Sequence, residues 1–164
     1  MFSACLDDRY DATVTDQQLS TGGDTERDWL ALPRALRAPI YDLLGFDLTD
    51  GGEGWVEVTL QISPDVLNAD GVVHGGVWTL ISDTAMGGAV RTIIEPHERV
   101  VTSQSDFRWL RPLGGSVLRS VGRVLRRGRS VWHCTCECFD GAGVLVGSGS
   151  GTFVVIQRDR PDPG

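Results

Sequence analysis

His74-Gly75-Gly76 stands where the sequence turns from the polar loop around Asn68 into its longest apolar-periodic stretch, which runs to about Ile94. A helix starting there points the unsatisfied N–H groups of its first turn outward, at the positive end of its dipole. Two glycines leave a substrate carbonyl free to reach those groups, the arrangement that holds an oxyanion in acyl transfer. A helix start whose glycines serve close packing on a sheet reads equally well from the tripeptide. Val77, Leu80, Ile81, Thr84, Ala85 and Gly88 share one face of the helix. Asp83 lies off that stripe, in a row with Gly76, Gly87 and Val90. It is nine residues beyond His74, about 13.5 Å of helical rise, too far to act on a carbonyl held at the start of its own helix. Two identical helices packed antiparallel about a two-fold axis would place each Asp83 near the other's N-terminus and make two composite sites. The plainer reading of Asp83 is an ordinary solvated helix residue.

These residues need elements to hold them. Short helical turns over Trp29 to Leu44 lead into Gly45, and Gly51-Gly52-Glu53-Gly54 marks a hairpin turn before the alternating strand Trp55 to Ile62. After the long helix come four extended segments, Val100 to Leu110, Ser116 to Leu125, Val131 to Phe139 and Val144 to Ile156. Their separators, Pro112-Leu113-Gly114-Gly115, Arg126-Arg127-Gly128-Arg129 and Asp140-Gly141-Ala142-Gly143, carry turn chemistry. Strands joined in this way predict an antiparallel meander, and with a hairpin and one long helix before it the fold class is α+β.

The chain's 164 residues, 41% of them hydrophobic and 23% charged, are enough for one domain with a real core. Residues 1–27 are polar and acidic and are expected to form a flexible tail, 28–157 the folded domain and 158–164 a short C-terminal tail. A net charge of -7 disfavours a nucleic-acid partner. No run approaches about eighteen apolar residues, so no membrane span is expected. The start carries Asp7 and Asp8 where a leader would be basic, so a cytoplasmic protein is expected. Cys134, Cys136 and Cys138 alternate onto one strand face, with His133 on the other. Neither CxxC spacing nor a His pair accompanies them, so they read as core thiols and no metal is expected.

Over roughly residues 36–156 the sequence resembles the hotdog-fold acyl-CoA thioesterases, particularly the phenylacetate-pathway (PaaI-like) type. The resemblance rests on Asn68, on Gly71-Val72-Val73-His74-Gly75-Gly76, and on Asp83-Thr84-Ala85-Met86-Gly87. It continues through Val101-Thr102, Leu110-Arg111-Pro112 and Gly149-Ser150-Gly151-Thr152-Phe153. It implies a long central helix wrapped by an antiparallel sheet, a homodimer and further a dimer of dimers, and hydrolysis of an aryl- or medium-chain acyl-CoA without a cofactor. By the same resemblance the Gly75 N–H, with Gly76, binds the thioester oxygen, and Asp83 of the partner subunit is general base or nucleophile. Thr102 orients the water or the carboxylate, Asn68 lines the attack site, and His74 lies near the thioester and its leaving sulfur. Ser103 and Ser105 depart from the family, standing on one strand face where its members are usually apolar. Arg126, Arg127 and Arg129 form a positive turn suited to the phosphates of CoA, or a solubilising turn. A binding module on the same fold is the alternative to an enzyme, and Asp83 separates the two, since a binder needs no carboxylate facing a helix start.

Overall fold

In the sequence Trp55 to Gln61, every second residue is aliphatic, and the structure buries Val56, Val58 and Leu60 completely. The structure, a computed structural model, describes residues 28–157; both expected tails lie outside the described residues. Two short helices, α1 (Ala31–Ala35) and α2 (Ile40–Leu44), precede β1 (Phe46–Gly52) and β2 (Trp55–Gln61). The β1–β2 hairpin closes over Glu53-Gly54, with Gly54 at φ +73°, a conformation glycine adopts at no cost. A 3-10 turn at Pro64–Val66 leads through the Asn68 loop to α3 (Gly75–Arg91). Then follow β3 (Glu98–Trp109), β4 (Val117–Arg127), β5 (Val131–Asp140) and β6 (Leu145–Gln157).

The six strands form one antiparallel sheet in the order β1-β2-β4-β5-β6-β3. The expected meander holds for β4, β5 and β6, but β3 is not its first strand. It pairs with β6 at the far edge, while β4 pairs with β2. The separator between β3 and β4, residues 110–116, explains the difference. Seven extended residues reach about 23 Å, and crossing three strand spacings takes only about 14 Å.

The sheet wraps α3. One apolar cluster gathers Val56, Val58, Leu60, Leu118 and Ile81 on the β1-β2-β4 side, and a second gathers Met86, Val90, Trp132, Phe153 and Val155 on the other. Because the helix is covered from both sides, its buried face is wider than the expected stripe and takes in Trp78, Ser82, Met86 and Val90, while Val77 and Leu80 are only half-buried. The helix stops at Arg91 rather than Ile94. There Thr92 donates its hydroxyl to the Ala89 carbonyl (2.7 Å) and accepts the Gly54 N–H (2.9 Å), tying the helix end to the first hairpin. A side chain at Gly122 would overlap the α3 backbone at Ala85, so α3 lies directly on β4 at that point. On β6, Gly147, Gly149 and Gly151 alternate on the inner face, and a Cβ on Gly147 or Gly149 would crowd the Phe107 ring.

Cys134, Cys136 and Cys138 are buried free thiols and His133 is exposed on the other face, as the alternation requires. Burial pushes the Cys134 thiol up to about 12. Cys138 shares a contact with the Ser82 hydroxyl (3.4 Å), which in turn accepts from Ser120 (3.4 Å), so the small polar groups of the core satisfy one another.

Candidate active site

Asp83 sits where α3 faces the edge strand β3. It is half-buried, and the Thr102 hydroxyl donates to its carboxylate, 3.0 Å from Oδ1 and 3.3 Å from Oδ2. Burial raises the Asp83 carboxyl above its ordinary value, and the Thr102 hydrogen bond pulls it the other way. A carboxylate so placed is a better proton acceptor than a solvated one. Asp83 and Thr102 open into a cavity of about 230 Å³ roofed by Pro33, Leu36 and Tyr41 of the first two helices and floored by Gly87 and Gly88.

The start of α3 forms a second, separate place. His74 is the N-cap, and its Nδ1 accepts the Gly76 N–H at 3.0 Å. The Gly76 N–H expected at the thioester oxygen is therefore taken up by the cap, because a His here does the work of the usual Ser or Asp. Gly75 N–H is left outside that bond. With Nδ1 as acceptor, the proton of the neutral ring is on Nε2. The indole of Trp109 lies across Gly75, where a Cβ would come within 3.3 Å of Cζ2. Beside it a cavity of about 490 Å³ runs between Trp78, Trp109, Leu113 and the Asn68 loop.

Asn68 organises that loop. Its Oδ1 accepts the N–H groups of Asp70 (2.9 Å) and Val72 (3.2 Å), and its own backbone pairs with Val72 and Gly71. The side-chain carbonyl is thus committed within the loop.

Within one chain the structure brings Thr102 to Asp83 and sets His74 beside Gly75, with Asn68 held in the preceding loop by Asp70, Gly71 and Val72, but it does not bring Gly75 and Asp83 together. Gly75 and Asp83 are separated by eight residues of α3, about 12 Å of rise. The Arg turn is likewise divided. Arg127 pairs with Trp132 on the inner face and lies 4.9 Å from its ring centroid, whereas Arg126 pairs with the exposed His133 on the outer face. Arg129 is exposed in the turn itself. Ser103 and Ser105 do not share a face either. Ser103 is the extra residue of a bulge between Thr102 and Gln104, while Ser105 pairs with Gly151 on the inner side.

The roof over Asp83 and the indole over Gly75 are missing from the sequence reading. The first comes from a segment forty or more residues before Asp83 in the chain. For the second, a tryptophan ahead of Leu110-Arg111-Pro112 was the available signal. Among the described residues no group of three or more His, Cys, Asp or Glu is placed to hold a metal, and no helix is long and apolar enough to cross a membrane.

The profile of the Thioesterase superfamily matches residues 70–146, the span from the Asn68 loop into the start of β6. Among solved structures, a conserved protein of Pseudomonas aeruginosa is 30% identical, covering 74% of this chain and 96% of its own, with a TM-score of 0.69. A thioesterase of Haemophilus influenzae is 20% identical, covering 84% of this chain and 96% of its own, with a TM-score of 0.75. The PaaI protein of the E. coli phenylacetic acid degradation operon is 23% identical, covering 74% of this chain and 86% of its own, with a TM-score of 0.67. The last two likenesses concern the fold.

Proposed function

We propose that this chain, a hydrolase belonging to the thioesterase superfamily and built on the hotdog fold, cleaves the thioester of an aryl- or medium-chain acyl-CoA to the free acid and CoA. The observation that carries the reading is the half-buried Asp83 carboxylate, raised by burial and held by Thr102, on the rim of a cavity of about 230 Å³.

The unit that works is a homodimer. β3 is an edge strand, paired on one side only, and it carries Thr102 near one end and Trp109 at the other. An unpaired edge is a template for a second strand. Antiparallel pairing of β3 with its copy, centred near Ser105 and Asp106, would lay Trp109 opposite Thr102 of the partner subunit. Gly75 of one chain would then stand beside Asp83 of the other. The Ser103 bulge supports this register, since it absorbs the residue that otherwise leaves Thr102 and Trp109 on opposite faces. Two such dimers pairing through their sheets make the proposed tetramer.

In the composite site Asp83 acts as general base. It takes a proton from water as the water oxygen bonds to the thioester carbon, and the carbonyl electrons move to an oxyanion held by the Gly75 N–H. Collapse of that intermediate breaks the carbon–sulfur bond, and the proton passes from Asp83 to the CoA thiolate. His74 presents Nε2–H toward the leaving sulfur, and the Asn68 amide closes the side of the site. Arg126, Arg127 and Arg129 take the phosphates of CoA. Arg127 and Thr102 belong to one row across four strands, Arg127-Trp132-Phe153-Thr102, about 14 Å from end to end, a span that suits a long ligand with its charge remote from its thioester. The protein is cytoplasmic on this reading.

The test is a panel of acyl-CoA esters given to the purified protein, with release of free thiol as the readout. Turnover of at least one ester is expected, and loss of that turnover in Asp83→Asn while binding persists. Hydrolysis that survives Asp83→Asn within tenfold of wild type would remove Asp83 from the chemistry.

A further inference from the structure

Asp83, Gly87 and Arg91 are successive members of one i, i+4 ridge of α3, and all three line the cavity of about 230 Å³. Gly87 has no evident packing reason to be glycine. A Cβ there would meet the Phe153 ring at 3.5 Å, an ordinary contact, whereas at the neighbouring Gly88 it would press on Val56 at 3.3 Å. Glycine inside a helix is less stable than alanine, so position 87 gives up stability and gains open space beside Asp83.

At the far end of that space stands Arg91, the one cation among the cavity's described lining residues. The helical rise from Asp83 to Arg91 is about 12 Å. Helical side chains lean toward the N-terminus, which carries the guanidinium back over the turn that Gly87 leaves bare. Tyr41 faces the same space from α2, and Phe153 and Leu36 supply apolar walls. The cavity thus has a base at one end, an apolar middle and a permanent positive charge at the other.

Resting on the thioesterase reading above, we propose that the Asp83-Gly87-Arg91 ridge is the acyl subsite and that it selects acyl groups ending in a carboxylate. The acyl body lies on Gly87 against Phe153, and the terminal carboxylate is received by Arg91, whose planar fork matches it. An arginine in the last turn of a helix also complements the helix dipole, and the experiment separates that role from selection.

The measurement is kcat/KM for matched pairs of four to six carbons: succinyl-CoA with butanoyl-CoA, glutaryl-CoA with pentanoyl-CoA, and adipyl-CoA with hexanoyl-CoA. At least one carboxylated ester is expected to exceed its neutral partner by about tenfold or more, the scale of a charge-assisted hydrogen bond. Arg91→Gln should lower the carboxylated ester about tenfold further than the neutral one, and Arg91→Lys should keep part of the preference. Equal rates within every pair, or equal losses on both members accompanied by a fall in Tm, would assign Arg91 to the helix end and overturn the proposal. If no ester of these pairs is cleaved, the wider acyl-CoA panel above decides the hydrolytic reading, and calorimetric titration of the same pairs still decides the subsite. Tighter binding of the carboxylated member that Arg91→Gln abolishes would uphold it, and indifference would end it.

Discussion

The two halves of the site can be broken in different chains and rejoined. Asp83→Asn removes the base. For the other half the suitable lesion is Gly75→Pro, because Gly75 is the first residue of α3 and proline is well tolerated at that position while lacking the N–H. His74, which precedes it, has φ −57° and ψ 132°, a conformation the residue before proline accepts. The new Cβ would meet the half-exposed Trp109 indole at 3.3 Å. Loss of the base costs roughly a hundred- to ten-thousand-fold, and loss of one oxyanion donor about a hundred- to a thousand-fold. Each variant alone should therefore stand at or below about 1% of wild type. Equal co-expression pairs the chains at random, so about half the dimers are mixed. Each mixed dimer holds one site with both lesions and one with neither, and about a quarter of wild-type activity should return in the mixture. Differently tagged chains allow the mixed dimer to be purified, where about half is expected. A purified mixed dimer no more active than its parents would mean that Gly75 and Asp83 do not meet across the two-fold axis, and the roughly 12 Å between them in one chain would need another explanation.

Burial raises the Asp83 carboxyl, so its charge burdens the fold once both states ionise. The burden is absent below the unfolded value and complete above the native one, and Asp83→Asn should match or exceed wild type in Tm at neutral pH, with the difference fading in acid. A lower Tm for the variant at neutral pH would contradict this. Thr102→Val removes the bond that lowers the same carboxyl, which should move the acid limb of the kcat/KM profile to higher pH; a uniform loss with the limb unmoved would leave Thr102 a packing role. Replacing Arg126, Arg127 and Arg129 together with Gln should raise KM for the CoA ester, leave kcat nearly unchanged, and spare a pantetheine ester that has no nucleotide phosphates. Equal impairment on both esters would make the turn a solvated one, with Arg127 serving chiefly to cover Trp132.

The long helix was legible because its start and its filling are local, whereas its end at Arg91 depends on the Thr92 contact with the first hairpin. A glycine pair opens it, and a run of period 3.6 fills it. Asp83 could be placed off the main stripe for the same reason. Its contact with Thr102 was reachable only through the resemblance, since helix spacing says nothing of which strand lies opposite. The place of β3 at the sheet's far edge was not legible. Strand pairing is a choice among partners, and a seven-residue connection permits a crossing that a two-residue turn forbids. The capping role of His74 was hidden for a different reason. Histidine is not a usual N-cap, and which of its nitrogens meets which N–H depends on a backbone angle that composition does not reveal. The roof of the Asp83 cavity comes from Pro33, Leu36 and Tyr41, whose sequence reads only as short helical turns.

The alternating glycines of β6 bear on how this domain can change over evolutionary time. Phe107 occupies space that a methyl group on Gly147 or Gly149 would claim, so the ring and the bare strand fit each other as a cast fits its mould. Neither can be altered first at little cost. Enlarging the strand crowds the ring, and trimming the ring opens a void beside Trp78 and Trp109. Only the paired exchange, a smaller residue at Phe107 with alanine at Gly147, restores the fit, and contacting pairs of this kind depart from additivity by about 0.5–3 kcal/mol. The interior under the site is therefore historically locked. Lineages that set out from this pairing are expected to diversify at the α1–α2 roof, where residues change singly, and to leave the floor as they found it.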